Sequence, residues 1–409
     1  MRTMTEEIFG TSGIWGLFLE FGLLLAGLGV LTRLAARIRV SPVPLYLIVG
    51  LFFGTGGFIP IDEHNELVSV VAKMGSIVLL LLLGLEYSGP LLVGTVRRHS
   101  TTGVVDIVAN TLPGAAAGFI LGWGPVGALA LAGVTYVSSS GIASQVIRDM
   151  RWRRNPESSS VVGVLVVEDL VMAPYLPILT AVLSGVGLIS GLLSVAAALV
   201  VVAVSLWLSV RGHQHAQRWF RRGDDTSGLI LIVFGVALVA AALASYASFS
   251  PEVAAFLVGL LVTGEIAEQV RRRLDPLREV LAAVFFAYFG ISTDTGALTS
   301  MLVPALVLAV VSLLTKLGTG WYVGRVDGLG TVARLRAGAL LGGRGEFSVV
   351  IASLAATSAA LPVEIGALIA AYLIITAVVA PIMARFAEPV GWWLTQRQGG
   401  PGPADVPKD

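Results

Sequence analysis

Residues 124–148 read GPVGALALAGVTYVSSSGIASQVIR, an apolar stretch interrupted at its centre by Val137-Ser-Ser-Ser-Gly141. A bilayer-crossing helix needs ~20 mostly apolar residues, and this run supplies them. Serine and glycine clusters loosen a helix, and unwound backbone at membrane depth survives only where it is buried in protein or lines a cavity. Residues 334–357, RLRAGALLGGRGEFSVVIASLAAT, repeat the pattern, with Leu341-Gly-Gly-Arg-Gly345 at the break. One such break is explained by close packing through small residues. Two, in corresponding places of the two halves of the chain, predict a pair of broken helices.

The rest of the chain fits a polytopic membrane protein. It has 409 residues, 56% hydrophobic and 13% charged, with a mean hydropathy of +0.86. Soluble domains are nearer a quarter charged, so an ordinary cytosolic enzyme, a disordered chain and a nucleic-acid binder are all excluded. With no cysteine there is no disulfide, thiolate metal site or cysteine nucleophile. Thirteen spans can be read, at about 14–32, 43–60, 66–86, 101–121, 124–148, 158–183, 186–210, 227–247, 251–265, 277–293, 303–324, 334–357 and 363–386. The start, Met1-Arg-Thr-Met-Thr-Glu-Glu7, lacks the features of a cleavable signal peptide, and the end from about Gly391 reads as a disordered tail.

With the N-terminus outside, twenty-three of the 27 Lys and Arg residues fall in cytoplasmic connections or the C-terminal end. That is the positive-inside pattern. The remainder are Arg2 and three residues within spans, Lys73, Lys316 and Arg344. Thirteen spans, N-out and C-in, divide as six, one, six. The first and eighth helices then cross in opposite directions, as an inverted repeat requires, with the fifth and twelfth helices broken.

Charges inside the bilayer cost about 2.5–3.5 kcal/mol each even on lenient scales, so they are few and functional. Glu168 and Asp169 sit near the middle of the sixth span, Lys316 of the eleventh, Arg344 and Glu346 of the twelfth. Ser138, Ser139 and Ser140 lie at the same depth in the fifth. Adjacent helical residues point ~100° apart, so Glu168 and Asp169 face different surroundings. A lysine at mid-membrane needs an anionic partner, and Glu168 is the candidate, in a pair that breaks and re-forms as the cation binds. Other charges read more blandly: Lys73 snorkels, Glu86 is interfacial, and Asp106 lies at a solvated helix end or in a vestibule. His213 and His215 belong to a basic cytoplasmic loop.

Two function classes compete, ion transport and intramembrane hydrolysis. Every histidine lies outside the spans, so no histidine base serves Ser139 or Ser140. Two consecutive acids on one helix cannot close on a shared water as an aspartyl dyad does. A Ser–Lys arrangement with Lys316 stays open. A channel-like efflux system is the intermediate option, but a buried carboxylate beside a lysine suits a carrier that exchanges protons.

Six segments carry a resemblance: Leu83-Gly-Leu-Glu86, Tyr136-Val-Ser-Ser-Ser-Gly141, Val167-Glu-Asp-Leu170, Ala255-Phe-Leu-Val-Gly259, Phe285-Phe-Ala-Tyr-Phe-Gly-Ile-Ser292 and Gly343-Arg-Gly-Glu-Phe347. In this order, across residues 14–386, they resemble the monovalent cation:proton antiporter superfamily. The nearest likeness is to its second branch, with the glutathione-gated potassium efflux systems. The resemblance implies that Asp169 binds cation or proton, that Lys316 is its basic companion, and that Ser138, Ser139 and Ser140 lie near the ion. The residue preceding the essential acid is Asp, Asn or Gln in different branches. Glu168 departs from all three, leaving K+ against Na+ open.

The same resemblance implies an architecture and a mechanism. Residues 14–100 and 227–300 form a scaffold that dimerises, and 101–183 and 301–386 a core that slides against it. Residues 184–226 link the halves, and 1–13 and 387–409 are tails. The expected activity is exchange of K+ or Na+ for protons by elevator-type alternating access in a bacterial inner membrane, as a homodimer, without enzymatic chemistry or cofactor. Hard oxygen ligands suit an alkali ion at Asp169. Proton and dehydrated cation compete for that carboxylate.

Overall fold

The computed structural model describes residues 14–38, 41–54, 66–86, 89–184, 226–246, 250–262, 264–356 and 358–397, with three isolated positions between 196 and 204. The expected seventh span, His64, His213, His215 and both extreme ends lie outside the described residues. Every regular element among those described is helical. In chain order these are α1 Ile14–Ile38, α2 Val43–Phe53, α3 Glu66–Glu86, α4 Gly89–Ile120, α5 Gly124–Tyr136, α6 Ser140–Asp149 and α7 Pro156–Leu183. After the connection come α8 Thr226–Tyr246, α9 Pro251–Leu261, α10 Glu265–Ile291, α11 Thr295–Val326, α12 Thr331–Leu340, α13 Glu346–Ala356 and α14 Glu364–Arg397.

Eight spans among the described residues are long and apolar enough to cross a membrane, the α5–α6 pair counting as one. The fifth span is broken between Tyr136 and Ser140 and the twelfth between Leu340 and Glu346, at the two motifs that opened the sequence reading. Ser139 ends the first break by capping α6, its hydroxyl accepting from the Ile142 amide. An N-cap hydroxyl satisfies one of the amides that a helix start leaves without a partner.

Several boundaries differ from the sequence reading, among them α4 from Gly89 rather than 101 and α11 from Thr295 rather than 303, and two more have a clear physical cause. Helix α10 begins at Glu265 rather than 277, because its first turns hold charges that stay outside the apolar layer. Gly264 turns into it at φ 73°, and Glu265 and Glu268 occupy the first turn. Arg272 donates to Glu268 at 2.8 Å. That hydrogen bond, with Arg271 nearby, holds the Glu268 carboxyl below its ordinary pKa. Arg271 also reaches Glu86 at 3.2 Å, which gives that interfacial acid a named partner. The end of the chain differs too. Residues 391–397, expected to be disordered, continue α14, with Gly391 buried against Val332.

Packing divides the helices into two groups. α3 packs on α9 and α10, α2 on α10, and α8 on α9. In the other group α4 packs on α5, α7 and α11, while α12 lies between α11 and α14. The groups meet where α2 touches α14, α9 touches α7 and α10 touches α13. A cavity of about 450 Å³ lies between them, lined by Lys73 and Glu252 on one side and Ser353 and Gly366 on the other.

The first group depends on two glycine contacts. A Cβ at Gly84 of α3 would stand 2.2 Å from the Phe256 carbonyl oxygen, and one at Gly259 of α9 would stand 2.2 Å from that of Leu81. Gly50 of α2 and Gly290 of α10 meet in the same way, each Cβ 2.8 Å from the other's Cα. Helix backbones this close exclude any side chain, and small residues are what bring helices together where lipid removes the hydrophobic incentive. Over-packing a tight contact costs about 1–3 kcal/mol, sometimes more. Gly84→Val is therefore expected to cost about 3 kcal/mol, read as a lower melting temperature in detergent. An outward-facing control, Gly22→Val on α1, has open space around it and should melt like the parent.

Candidate ion-binding site

The two breaks face each other, and four half-helix ends converge there. The Ser139 amide donates to the Gly343 carbonyl at 2.8 Å, tying one unwound segment to the other. Two helix C-termini, of α5 and α12, bring carbonyl oxygens to the crossing; two N-termini, of α6 and α13, bring amides. Each C-terminus carries roughly half a negative charge and each N-terminus half a positive one. Such an assembly is stable in low dielectric only if both excesses are answered.

Arg344 answers the carbonyls. Its guanidinium, 0% exposed, donates to Leu341 O at 3.0 Å, to Thr135 O at 2.8 Å and to Ser312 Oγ at 2.7 Å. It thus holds the ends of α12 and α5 together from within the unwound segment. Glu346 answers the amides. It starts α13, and its carboxylate lies 3.3 Å from both Ser139 Oγ and Ser140 Oγ at the start of α6. An acid in a first turn is stabilising; this one serves two first turns.

Above this crossing sits the acid cluster. Glu168, 0% exposed on α7, takes the Ser138 amide at 2.5 Å and lies 3.0 Å from Ser138 Oγ. Ser138 Oγ is also 2.9 Å from the Leu341 carbonyl, so this serine touches α7 and the twelfth span together. Lys316, 0% exposed on α11, reaches Glu168 Oε1 at 2.8 Å, the pair expected from the sequence. Its ammonium lies 5.5 Å from the centre of the Tyr136 ring. Asp169, the next residue of α7, is 2% exposed. The structure brings together Glu168, Ser138, Ser139, Ser140, Lys316, Arg344 and Glu346, and Asp169 is buried at the next position of α7.

One member was misplaced by the sequence reading. Asp106 is 0% exposed, not at a solvated end, and its Oδ1 lies 2.9 Å from Lys316 Nζ. It shares that oxygen with Asn110 Nδ2 at 2.8 Å, and Asn110 also reaches Thr319 Oγ1 at 2.9 Å. The reason is packing rather than depth: α4, kinked at His99, lies against α7 and α11, so Asp106, two turns into the span, faces Lys316 instead of solvent. A polar pair at i and i+4 on one helix face, Asp106 and Asn110, was the signal available.

Chemically the site offers carboxylates, hydroxyls and unwound carbonyls, all hard oxygen donors, beside one fixed cation. Among the described residues there is no group of three or more His, Cys, Asp and Glu positioned for a resident metal ion. Two broken helices crossed at mid-bundle, with buried carboxylates and a lysine beside them, define a membrane carrier for small cations. The profile of the family described as "Sodium/hydrogen exchanger, transmembrane" matches residues 21–387, and the chain belongs to that family. It is 27% identical to the K(+)/H(+) antiporter subunit KhtU of Bacillus subtilis, over 90% of this chain and 93% of that one. It is 29% identical, with the same coverage, to the ammonium/H(+) antiporter subunit AmhT of Alkalihalophilus pseudofirmus. Its fold is similar to two structures of the sodium proton antiporter MjNhaP1 of Methanocaldococcus jannaschii. The TM-scores are 0.67 and 0.70, covering 92% and 97% of this chain and 97% and 100% of those, at 16% and 18% identity.

Arg344→Met is expected to leave the Thr135 carbonyl buried without its side-chain donor, at about 1–3 kcal/mol, and the Leu341 carbonyl with Ser138 Oγ alone. The variant should melt earlier in detergent and lose the crossing. Unchanged melting would mean that Arg344 is not what holds the two breaks together.

Proposed function

We propose that the protein is a cation:proton antiporter that exchanges K+ or Na+ for protons, with Asp169 as the carboxylate for which cation and proton compete. Glu168 and the hydroxyls of Ser138, Ser139 and Ser140 supply further oxygens, and Lys316 balances the charge. The single observation that carries this reading is the buried cluster of Asp169, Glu168, Asp106 and Lys316 beside two crossed, broken helices. Such a cluster is too costly to keep in a membrane without a use. The names of the relatives support K+ ahead of Na+: one is named for K+, the other for ammonium.

A proton and a cation can each cancel the charge of Asp169, and the two compete for it. Neutralised by either, the site crosses the apolar barrier; empty and charged, it does not. That difference enforces exchange.

The chain crosses the membrane thirteen times, N-terminus outside and C-terminus inside, as two six-helix inverted repeats around a linking helix. The glycine contacts support the repeat. Gly50 stands in Leu47-Ile-Val-Gly-Leu51 and Gly259 in Phe256-Leu-Val-Gly-Leu260, and each meets the third helix of the opposite half. Elevator motion of the core, 101–183 and 301–386, past the scaffold, 14–100 and 227–300, is supported by the division of the packing into two groups that touch along few helices. The protein acts as a homodimer in a bacterial inner membrane. The outward apolar side of α1, with Trp15, Phe18, Val30 and Leu34 exposed, supports a scaffold face given to lipid or to a second copy.

In proteoliposomes, wild type is expected to move protons when K+ or Na+ is added, and Asp169→Asn to insert normally and move none. Exchange by that variant at wild-type rate would overturn the site. Comparing K+ with Na+ at fixed pH decides selectivity.

A further inference from the structure

Lys316 has two carboxylate partners on two different helices, and only Glu168 is among the oxygens proposed above for the cation. Its Nζ lies 2.8 Å from Glu168 Oε1 on α7 and 2.9 Å from Asp106 Oδ1 on α4. All three side chains are fully buried. We propose that Asp106 is a positioning residue for the exchange reaction: it holds the Lys316 ammonium when a cation engages Glu168, and so sets cation affinity. The proposal rests on the antiport reading and assigns Asp106 no contact with the cation.

Three observations carry it. First, Asp106 has spare capacity. Its Oδ2 is buried with no hydrogen-bond partner, as is Asn110 Oδ1. Glu168, in contrast, uses both oxygens, on Ser138 and Lys316. An ammonium has three donors, so Asp106 can accept a second one while Glu168 is occupied. Second, Asp106 is aimed. Asn110 Nδ2 holds its Oδ1 and reaches across to Thr319 Oγ1, less than one turn beyond Lys316 on α11. Gly103, just under a turn before Asp106, lets α4 approach α7, where a Cβ would stand 2.7 Å from Val167 Cγ1.

Third, the arrangement is built from matching positions of the two halves. Gly114 of α4 packs against the end of α5 and Gly320 of α11 against α12. Counting back from each, Asn110 matches Lys316 and Asp106 matches Ser312. Asp106 and Asn110 on one helix thus face Lys316 and Thr319 on its counterpart, and the acid and the base sit at different levels of the two.

The energetics give the function. Removing one partner of a buried ion pair is strongly destabilising, because it leaves an uncompensated charge. A cation drawing Glu168 away from a lysine with no other partner would bear that cost in its own affinity. With Asp106 in place the ammonium moves a fraction of an ångström and remains paired.

The test uses the full chain, with KM for the driving alkali ion measured in proteoliposomes and the same ion's effect on melting measured in detergent. Asp106→Asn keeps the shape and is expected to raise KM at least about tenfold, which is about 1.4 kcal/mol. The maximal rate should change far less than KM, and the ion concentration for half-maximal thermal stabilisation should rise in parallel. In a Lys316→Met background the same change should shift neither by more than about twofold, because its only route of action is gone. Asn110→Ser, which keeps the charge but removes its aim, gives the same readout if Asp106→Asn cannot be recovered: a smaller rise in KM. Asp106→Glu should restore most of the affinity.

Unchanged KM with a lower melting temperature would make Asp106 a tie between helices and overturn the proposal. So would an equal effect in the Lys316→Met background, which would mean direct contact with the cation. Absence of ion-driven flux in the wild type would instead overturn the antiport reading on which the proposal stands.

Discussion

A buried ammonium cannot be left alone in a membrane protein, and much of this site follows from where Lys316 finds its counter-charges. Its two carboxylates come from α4 and α7, so three helices are fixed relative to one another by one nitrogen. Glu168 in turn takes the Ser138 amide, which anchors the first break. Ser138 lies against the Leu341 carbonyl, which anchors the second. Each unwound segment thus has a polar contact that leads back to the acid cluster.

Arg344 and Glu346 solve a separate problem, the convergence of four helix ends. One guanidinium spans the carbonyls of two C-termini and one carboxylate meets hydroxyls at the start of α6 while opening α13. These two residues tie the crossing together, while Glu168, Asp106 and Lys316 form a separate buried charge cluster beside it. The division accounts for six charged residues, Asp106 included, gathered at one site in a chain with only 13% charged residues.

Much of this was legible in the sequence. The breaks were visible because Ser-Ser-Ser-Gly and Gly-Gly-Arg-Gly cannot continue an apolar helix without a reason, and Glu168, Asp169 and Lys316 because charge in a span is costly. The Glu168–Lys316 pair followed from the need of a mid-membrane lysine for an anion. Asp106 was misread because its burial comes from the packing of α4 against α7 and α11, which its distance from the end of a span does not show. The clamp made by Arg344 was hidden for another reason: its acceptors are main-chain carbonyls, which no side-chain pattern announces. The glycine contacts were hidden as well, since only the packed backbones show which glycines face each other. The first turns of α10 and the last of α14 were missed because charged or glycine-containing stretches beyond a span still form helix when they have partners.

The central claim is that cation and proton compete for one buried carboxylate, and it is tested most directly by counting protons. Purified protein in weakly buffered detergent solution, with a pH-sensitive dye, is titrated with K+ and with Na+ near the pH at which it transports. Competition predicts that protons leave as the cation binds, in fixed ratio to it, and that Asp169→Asn releases none. Cation binding with no proton released, or undiminished release from Asp169→Asn, would contradict the account.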